Sequence, residues 1–371
     1  MTDLVLVSLE AWDGVWRRNQ HLVSRLLAAD EELRVLFVEP PADPLHDVRR
    51  RSVARRGLGL RRAADRLWLF QPTKWLPRRL DPAADRRLSS AVLGAAEQVG
   101  MTRPVLWLND PLAADLLRRT DWPALYDITD DWLLADRSPR EHDRLVESER
   151  YLLDHCRQVV VCSPRLLETK SPGRAERVTL VPNAVDVEAY LADSPRPDDL
   201  PSGPVVLYVG TLHRDRLDVD LCASLTTDLL GTATFVLVGP VALDDSDQSL
   251  LTGAGAVLLG SREHTTIPAY LKNADVLVVP HVVTEFTDSL DPIKVYEYLA
   301  AARPVVSTPV AGFRDLAPGS VEIALPATFG DAVRRGLTRE VLPPRDARVA
   351  TWDERAVDMS RVLDAVRGVG R

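Results

Sequence analysis

The sequence predicts an α/β chain of two Rossmann-like, doubly wound domains facing a central cleft. Three observations carry this: 371 residues suffice for two cores at roughly 150 residues each, short apolar runs alternate with helix-length amphipathic stretches, and the alternation breaks once and restarts. Apolar runs at Leu4 to Ser8, Arg34 to Val38, Leu67 to Phe70, Val105 to Leu108, Ala124 to Asp127 and Gln158 to Cys162 read as buried strands of the first domain. Helical spacing fills Trp16 to Ala29, Ala83 to Val99 and Glu141 to His155 between them. The stretch YLADSPRPDDLPSGP, Tyr190 to Pro204, is poor in large apolar residues and places a boundary between domains 1–195 and 196–371. Strands resume at Val205 to Val209, Thr234 to Val238, Ala256 to Leu259, Asp275 to Pro280 and Pro304 to Ser307. The closing TWDERAVDMSRVLDAVRGVG has helical spacing and is expected to pack back across the linker onto the first domain.

Composition narrows the function. A formal charge of −8 argues against a polyanionic partner such as nucleic acid. Three cysteines without a C-x-x-C pair suit a reducing cytoplasm better than a disulfide framework. The opening MTDLVLVSLE is too short an apolar run for a signal segment, and no stretch is apolar enough to span a bilayer, so a cytoplasmic protein is expected. One segment departs from the acidic average: Arg49 to Arg66 carries eight arginines. A charge run is usually a solvated surface, and the alternative here is contact with an acceptor or an anionic membrane face.

Two facing sheets put function in the loops after the strands. Neither half has G-x-G-x-x-G after a strand, and there is no Walker sequence, H-E-x-x-H or G-x-S-x-G. The most informative stretch is DSLDPIKVYEYLAAARPVVST. Asp291 as N-cap and Pro292 at the first helical position predict a helix running to about Ala302, apolar except for Lys294 and Glu297. The bland alternative for that pair is an intrahelical ion pair. The functional reading uses the helix N-terminus and Lys294 to hold a diphosphate, with Glu297 accepting hydrogen bonds from a ribose diol one turn later.

This stretch resembles the donor-site signature of GT-B glycosyltransferases, close to the retaining family-four-like group and its bacterial members with PIK-x-x-EYLA. WDGVWRRNQHLVSRLL, YDITDDW, SPRLLE, VPNAVD, YVGTL and FVLVGP agree in order along nearly the whole chain. The resemblance implies a metal-independent transfer of a hexose or aminohexose from a nucleotide sugar, with retention and without a cofactor. The acceptor would be a small molecule, a polysaccharide or a lipid-linked glycan, and the enzyme could sit peripherally at the inner membrane face. Glu297 matches the second glutamate of the family's Glu-x7-Glu motif, while the first falls at Ser289, where a hydroxyl replaces the carboxylate. The glycine usual after the helix is Ala302.

The remaining donor contacts expected are Gly14 across the cleft, Gly210 and Thr211 at the end of the second domain's first strand, and Gly239 with Pro240 after the next. Arg214 and Arg216 are the candidates for gripping phosphate, with His213 in the same loop, and Ser261 and Arg262 border a base-binding loop. Asp130 is the candidate for the acceptor or sugar hydroxyls, beside Asp131, and with Lys294 and Arg214 it completes the expected catalytic set. His21 and His142 read as structural or surface residues. Asp245, Ser246 and Asp247 form a D-x-D, but in a polar loop far past its strand, and no metal site is expected there. Two rivals remain: a hydrolysing nucleotide-sugar 2-epimerase on the same fold, and a two-lobed sugar-binding protein without catalysis.

Overall fold

The computed structural model describes residues 2–49, 53–78, 80–317, 319–339 and 349–368. Two sheets form. The first contains β1 (Thr2–Val7), β2 (Leu33–Val38), β3 (Gly59–Ala64), β4 (Leu67–Gln71), β5 (Val105–Leu108), β6 (Ala124–Ile128), β7 (Gln158–Val161) and β8 (Val178–Leu180). Their order is β3-β4-β2-β1-β5-β6-β7-β8, parallel except where β3 pairs antiparallel with β4. The second contains β9 (Val205–Val209), β10 (Thr234–Val238), β11 (Val257–Gly260), β12 (Val276–Val279), β13 (Val305–Ser307) and β14 (Glu322–Ile323), in the order β11-β10-β9-β12-β13-β14. All its pairings are parallel.

The central strands are the ones the apolar runs predict, because helices cover both faces and leave no exposed side to mark with polar residues. Val5, Leu106, Val160, Val206, Leu237 and Val278 are fully buried. The unpredicted strands all lie at or near sheet edges. β3 has the sequence GLRRAA and falls inside the arginine-rich stretch; an edge strand needs a backbone partner rather than an apolar side chain, so periodicity cannot find it. Arg50 and Arg51 of that stretch lie outside the described residues.

The strand orders fix where ligands meet the fold. The chain moves outward from β1 through β2, then returns to β1's other side as β5, and β9 stands between β10 and β12 in the same way. These reversals open crevices at the carboxyl ends of the strands, where neighbouring connections run to opposite sides of the sheet.

Three helices shape the junction: α1 (Arg18–Ala29), α2 (Ile293–Ala301) and α3 (Trp352–Arg367). In the last, Trp352, Met359, Val362, Leu363 and Val366 join the first domain's core beside Leu22 and Val23 of α1. Its start is fixed by a reciprocal cap, Thr351 accepting from the Glu354 amide while the Glu354 carboxylate accepts from the Thr351 amide. Between the sheets, residues 192–204 hold neither helix nor strand. No helix among the described residues is long and apolar enough to cross a membrane.

Helix α2 begins one residue later than predicted, with Pro292 as N-cap. Asp291 does not cap it; its carboxylate instead accepts from the Asn183 amide and, at 2.9 Å, from the Tyr296 hydroxyl, which anchors the helix to the segment just after β8. At the other end Ala302 adopts φ 52°, the only positive φ among described non-glycine residues. This left-handed conformation costs an L-residue about 1–2 kcal/mol. Ala302→Gly is therefore expected to raise unfolding stability by about 1 kcal/mol in urea denaturation; an unchanged midpoint would show that the strain is relieved elsewhere.

Candidate functional site

A cavity of about 530 Å³ lies between the domains, lined by the loops after β1, β5, β6, β9, β10 and β12 and by the start of α2. Its floor is built by two glycines that backbone geometry requires. Gly210, after β9, has φ 148°, and a Cβ there would lie 2.8 Å from Lys294 Nζ. Gly239, after β10, has φ 145°, and its Cβ would lie 2.1 Å from the Gly210 carbonyl oxygen. Both conformations favour glycine, and the missing side chains let the two loops stack and bring Lys294 up to the backbone. Thr211 and Pro240 line the same wall.

Lys294 does not pair with Glu297. Its Nζ donates to the Tyr208 hydroxyl at 2.9 Å, lies 3.3 Å from His281 Nε2, and sits 4.2 Å from the Tyr208 ring centroid. The Tyr208 hydroxyl is itself 3.0 Å from the same imidazole nitrogen. Burial lowers the Lys294 pKa to about 7, with the nearby Arg216 charge adding to the effect and Glu297 opposing it. Burial also holds His281 neutral, well below the ordinary histidine value, with Lys294 and Arg216 reinforcing it. Glu297 faces the cavity one turn on, with the Tyr190 hydroxyl as its hydrogen-bond partner. Burial raises its pKa to about 7, against the opposing Lys294 charge.

The opposite wall is acidic. Asp130 lies in the cavity and accepts from Arg216 across the domains at 3.0 Å, with Thr129 Oγ1 donating to its other oxygen at 3.2 Å. Glu10, which sequence reasoning missed, lines the same wall 3.4 Å from Arg17. Its pKa is raised to about 7, first by burial and then by the neighbouring Asp130 and Asp13 charges, although Arg17 and Arg216 oppose the rise. The signal available was only an acid just past the first strand; that it meets Asp130 and Arg216 is a tertiary fact.

Three expected residues are placed elsewhere. Arg214 forms a two-pronged pair with Asp247 at 2.7 and 2.6 Å, mostly exposed and off the cavity lining, so Arg216 alone of the two arginines reaches the cleft. The same pair occupies Asp247 of the D-x-D, whose neighbour Asp244 caps a helix by accepting from the Asp247 amide. Ser289 is buried, not in the lining: its hydroxyl donates to the Phe286 carbonyl at 2.7 Å and accepts from the Asp131 amide at 3.2 Å. Its carbonyl accepts from Ser163 Oγ at 2.6 Å, which makes it an interdomain contact rather than a donor contact. Gly14 sits at the cleft mouth, where its carbonyl accepts from the His264 amide at 2.8 Å and a Cβ would overlap the Glu263 carboxylate.

Asp131 is likewise structural, buried in a network where Lys170 donates to it at 3.0 Å and to Glu149 at 2.6 Å. His21 stacks on Trp352 with ring centroids 4.7 Å apart, and burial lowers its pKa to about 3, so it remains a neutral packing residue. Arg262 lines the cavity edge, held by the Tyr270 hydroxyl at 2.9 Å.

Residues 203–339 match the family model described as Glycosyl transferases group 1. A Bacillus subtilis (strain 168) protein, TuaH, named as a teichuronic acid biosynthesis glycosyltransferase, is 25% identical over 323 residues, covering 82% of this chain and 80% of that protein. Among solved structures, an E. coli protein bound with UDP-2-fluoro glucose superposes with a TM-score of 0.62 at 14% identity, covering 100% of this chain and 96% of its own. The UDP-forming α,α-trehalose-phosphate synthase of Burkholderia vietnamiensis gives 0.62 at 15% identity over 99% and 97%. The fold is therefore the two-domain GT-B arrangement, its second half carries a glycosyltransferase group 1 domain, and the chain is a glycosyltransferase.

Proposed function

We propose that this glycosyltransferase moves a hexose or aminohexose from a nucleoside diphosphate sugar to a hydroxyl of a small-molecule, polysaccharide or lipid-linked acceptor, with retention and without a metal ion. The observation that carries this reading is the Lys294 amino group seated under the Gly210 backbone at the start of α2, with Glu297 one turn further along the same cavity. The ammonium, the Arg216 guanidinium and the backbone amides after Gly210 supply charge and hydrogen bonds to the diphosphate, and Glu297 accepts from the ribose hydroxyls. As the bond from the anomeric carbon to the diphosphate oxygen breaks, the electron pair leaves with the phosphate, where these groups stabilise the growing charge. The acceptor oxygen bonds to the same face of the sugar, and its proton passes to the departing diphosphate. Asp130 and Glu10, which line the opposite wall, accept hydrogen bonds from sugar or acceptor hydroxyls in this reading. Ser289 and Arg214 take no part.

A donor bound only to the folded state raises stability by about 2.7 kcal/mol at a hundredfold excess over its dissociation constant. A thermal-shift screen of UDP, GDP, ADP and dTDP with their sugars is expected to single out one nucleotide. Transfer from that donor should survive EDTA, since Lys294 and Arg216 do the neutralising; activity abolished by EDTA and restored by magnesium would overturn the metal-free reading. No shift with any nucleotide would overturn the donor site itself.

A further inference from the structure

A lysine ammonium has three N–H bonds to place, and the seat of Lys294 occupies two of them with protein. One donates to the Tyr208 hydroxyl at 2.9 Å and another faces His281 Nε2 at 3.3 Å, while the hydroxyl and the imidazole nitrogen are 3.0 Å apart. The triangle joins α2 to β9 and to the loop after β12, and both rings are buried at the cavity wall. A proton on His281 Nε2 would aim an N–H at an ammonium, so the neutral ring carries its proton on Nδ1 and keeps a lone pair at Nε2. Burial pushes the Tyr208 pKa up, so the phenol keeps its proton, donates it to that lone pair and accepts from Lys294. The hydrogen bonds then run one way, from ammonium to hydroxyl to imidazole. The third N–H is left for the side where Gly210 lacks a Cβ.

The His281 backbone is held as firmly. The Thr308 hydroxyl accepts from its amide at 3.2 Å and donates to its carbonyl at 2.7 Å. On either side, the Val282 amide donates to the Arg216 carbonyl at 2.8 Å and the Asp218 amide to the Pro280 carbonyl at 2.9 Å, so the loop carrying Arg216 is laid along the loop carrying His281. The other charges bearing on the triangle are Arg216 and, one turn along α2, Glu297. On the Tyr208 side the titratable neighbour is Cys222, a thiol that burial keeps protonated.

We propose that His281, acting with Tyr208, is a positioning residue of the donor site: its imidazole lone pair orients the Lys294 ammonium toward the diphosphate, and its backbone sets the Arg216 loop alongside. This rests on Lys294 meeting the diphosphate, as in the function proposed above. An ammonium on a four-carbon stem is a flexible point charge, and a charge already fixed in place stabilises a leaving group without reorganisation at the moment of reaction. A ring that only filled space would need no lone pair.

The test reads the amino group itself. The chain has four lysines, Lys74, Lys170, Lys272 and Lys294, so ¹³C-lysine labelling gives few resonances, and Lys294→Ala identifies the one that titrates at about 7. Tyr208→Phe and His281→Phe keep a ring but remove an acceptor that favours the charged amine, so each is expected to lower this midpoint by about one pH unit. Each should also slow release of nucleoside diphosphate about tenfold, with a smaller change in donor affinity, using the sugar donor of whichever of UDP, GDP, ADP or dTDP the thermal-shift screen selects. His281→Gln, whose Oε1 accepts in place of Nε2, should restore most of both, and His281→Phe should add no further loss to Lys294→Ala. Mere loosening has the opposite sign, since water entering the site raises the midpoint toward the ordinary lysine value. Melting curves report folding, and Tyr208→Phe, which deletes one hydroxyl, carries the test if His281→Phe does not fold. An unmoved or raised midpoint overturns the proposal. Normal turnover and donor affinity in Lys294→Ala would overturn the donor-site reading beneath it, whereas a crippled Lys294→Ala beside unaffected phenylalanine variants overturns the positioning role alone.

Discussion

Replacing Lys294 by alanine is expected to lower turnover by about 10²–10³-fold, because it removes a preorganised charge from the position where the leaving diphosphate becomes more negative. Donor affinity should fall less, since Arg216 and the loop amides remain. Glu297→Gln should show the opposite pattern: a loss of about 1.5–3 kcal/mol, chiefly in donor affinity, with turnover at saturation nearly kept. The two residues share a helix, but Lys294 is hydrogen-bonded to the Tyr208 hydroxyl and Glu297 to that of Tyr190, so an ion-pair explanation does not predict this split.

The pH dependence of donor binding separates them again. Lys294, lowered to about 7, loses its charge as pH rises through that value, so binding of a nucleoside diphosphate should weaken on the alkaline side and take up a proton there. Glu297, raised to about 7, loses its charge as pH falls through the same region, so the ribose contact should weaken on the acid side. The dissociation constant is thus expected to pass through a minimum near neutrality. Lys294→Ala should flatten the alkaline limb and Glu297→Gln the acid limb; titration calorimetry in buffers of different ionisation enthalpy reads both. A profile unaltered by either substitution would remove the pair from the donor site.

Much of this architecture was legible because buried parallel strands are written as continuous apolar runs, and because a buried helix carrying only two charges must find partners for both. β3 escaped for the converse reason, since GLRRAA carries no apolar signal and owes its state to pairing with β4. Arg214 and Arg216 show the limit at side-chain scale. They stand two residues apart in one loop, yet Asp247 captures the first and Asp130, from the other domain, meets the second. No local pattern distinguishes them, because the deciding partners lie 33 and 86 positions away in sequence. Ser289 was placed by spacing against a motif, but its hydroxyl is consumed by Phe286 and Asp131 inside the interdomain contact. Glu10 acquires its raised pKa only once the fold buries it beside Asp130.

The second large effect is expected at Gly239. Alanine there would place its Cβ 2.1 Å from the Gly210 carbonyl oxygen, which is backbone and cannot rotate away as a flexible side chain would. The same residue would also sit at φ 145°, a conformation that costs an L-residue about 1–3 kcal/mol on its own. Overpacking adds about 1–3 kcal/mol, so Gly239→Ala should destabilise the protein by about 2–6 kcal/mol, or escape part of that cost by displacing the Gly210 loop. Either route damages the site, because the displaced loop carries the backbone against which Lys294 is seated. Gly210→Ala is the informative companion: it shares the backbone strain, at φ 148°, but its nearest obstacle is the Lys294 ammonium at 2.8 Å rather than backbone, so it should cost less stability than Gly239→Ala and weaken donor binding as well. Melting curves with and without the preferred nucleotide therefore distinguish the two glycines. A Gly239→Ala protein that melted normally and bound its donor normally would show that the two loops do not need to stack, and the account of the cavity floor would fall with it.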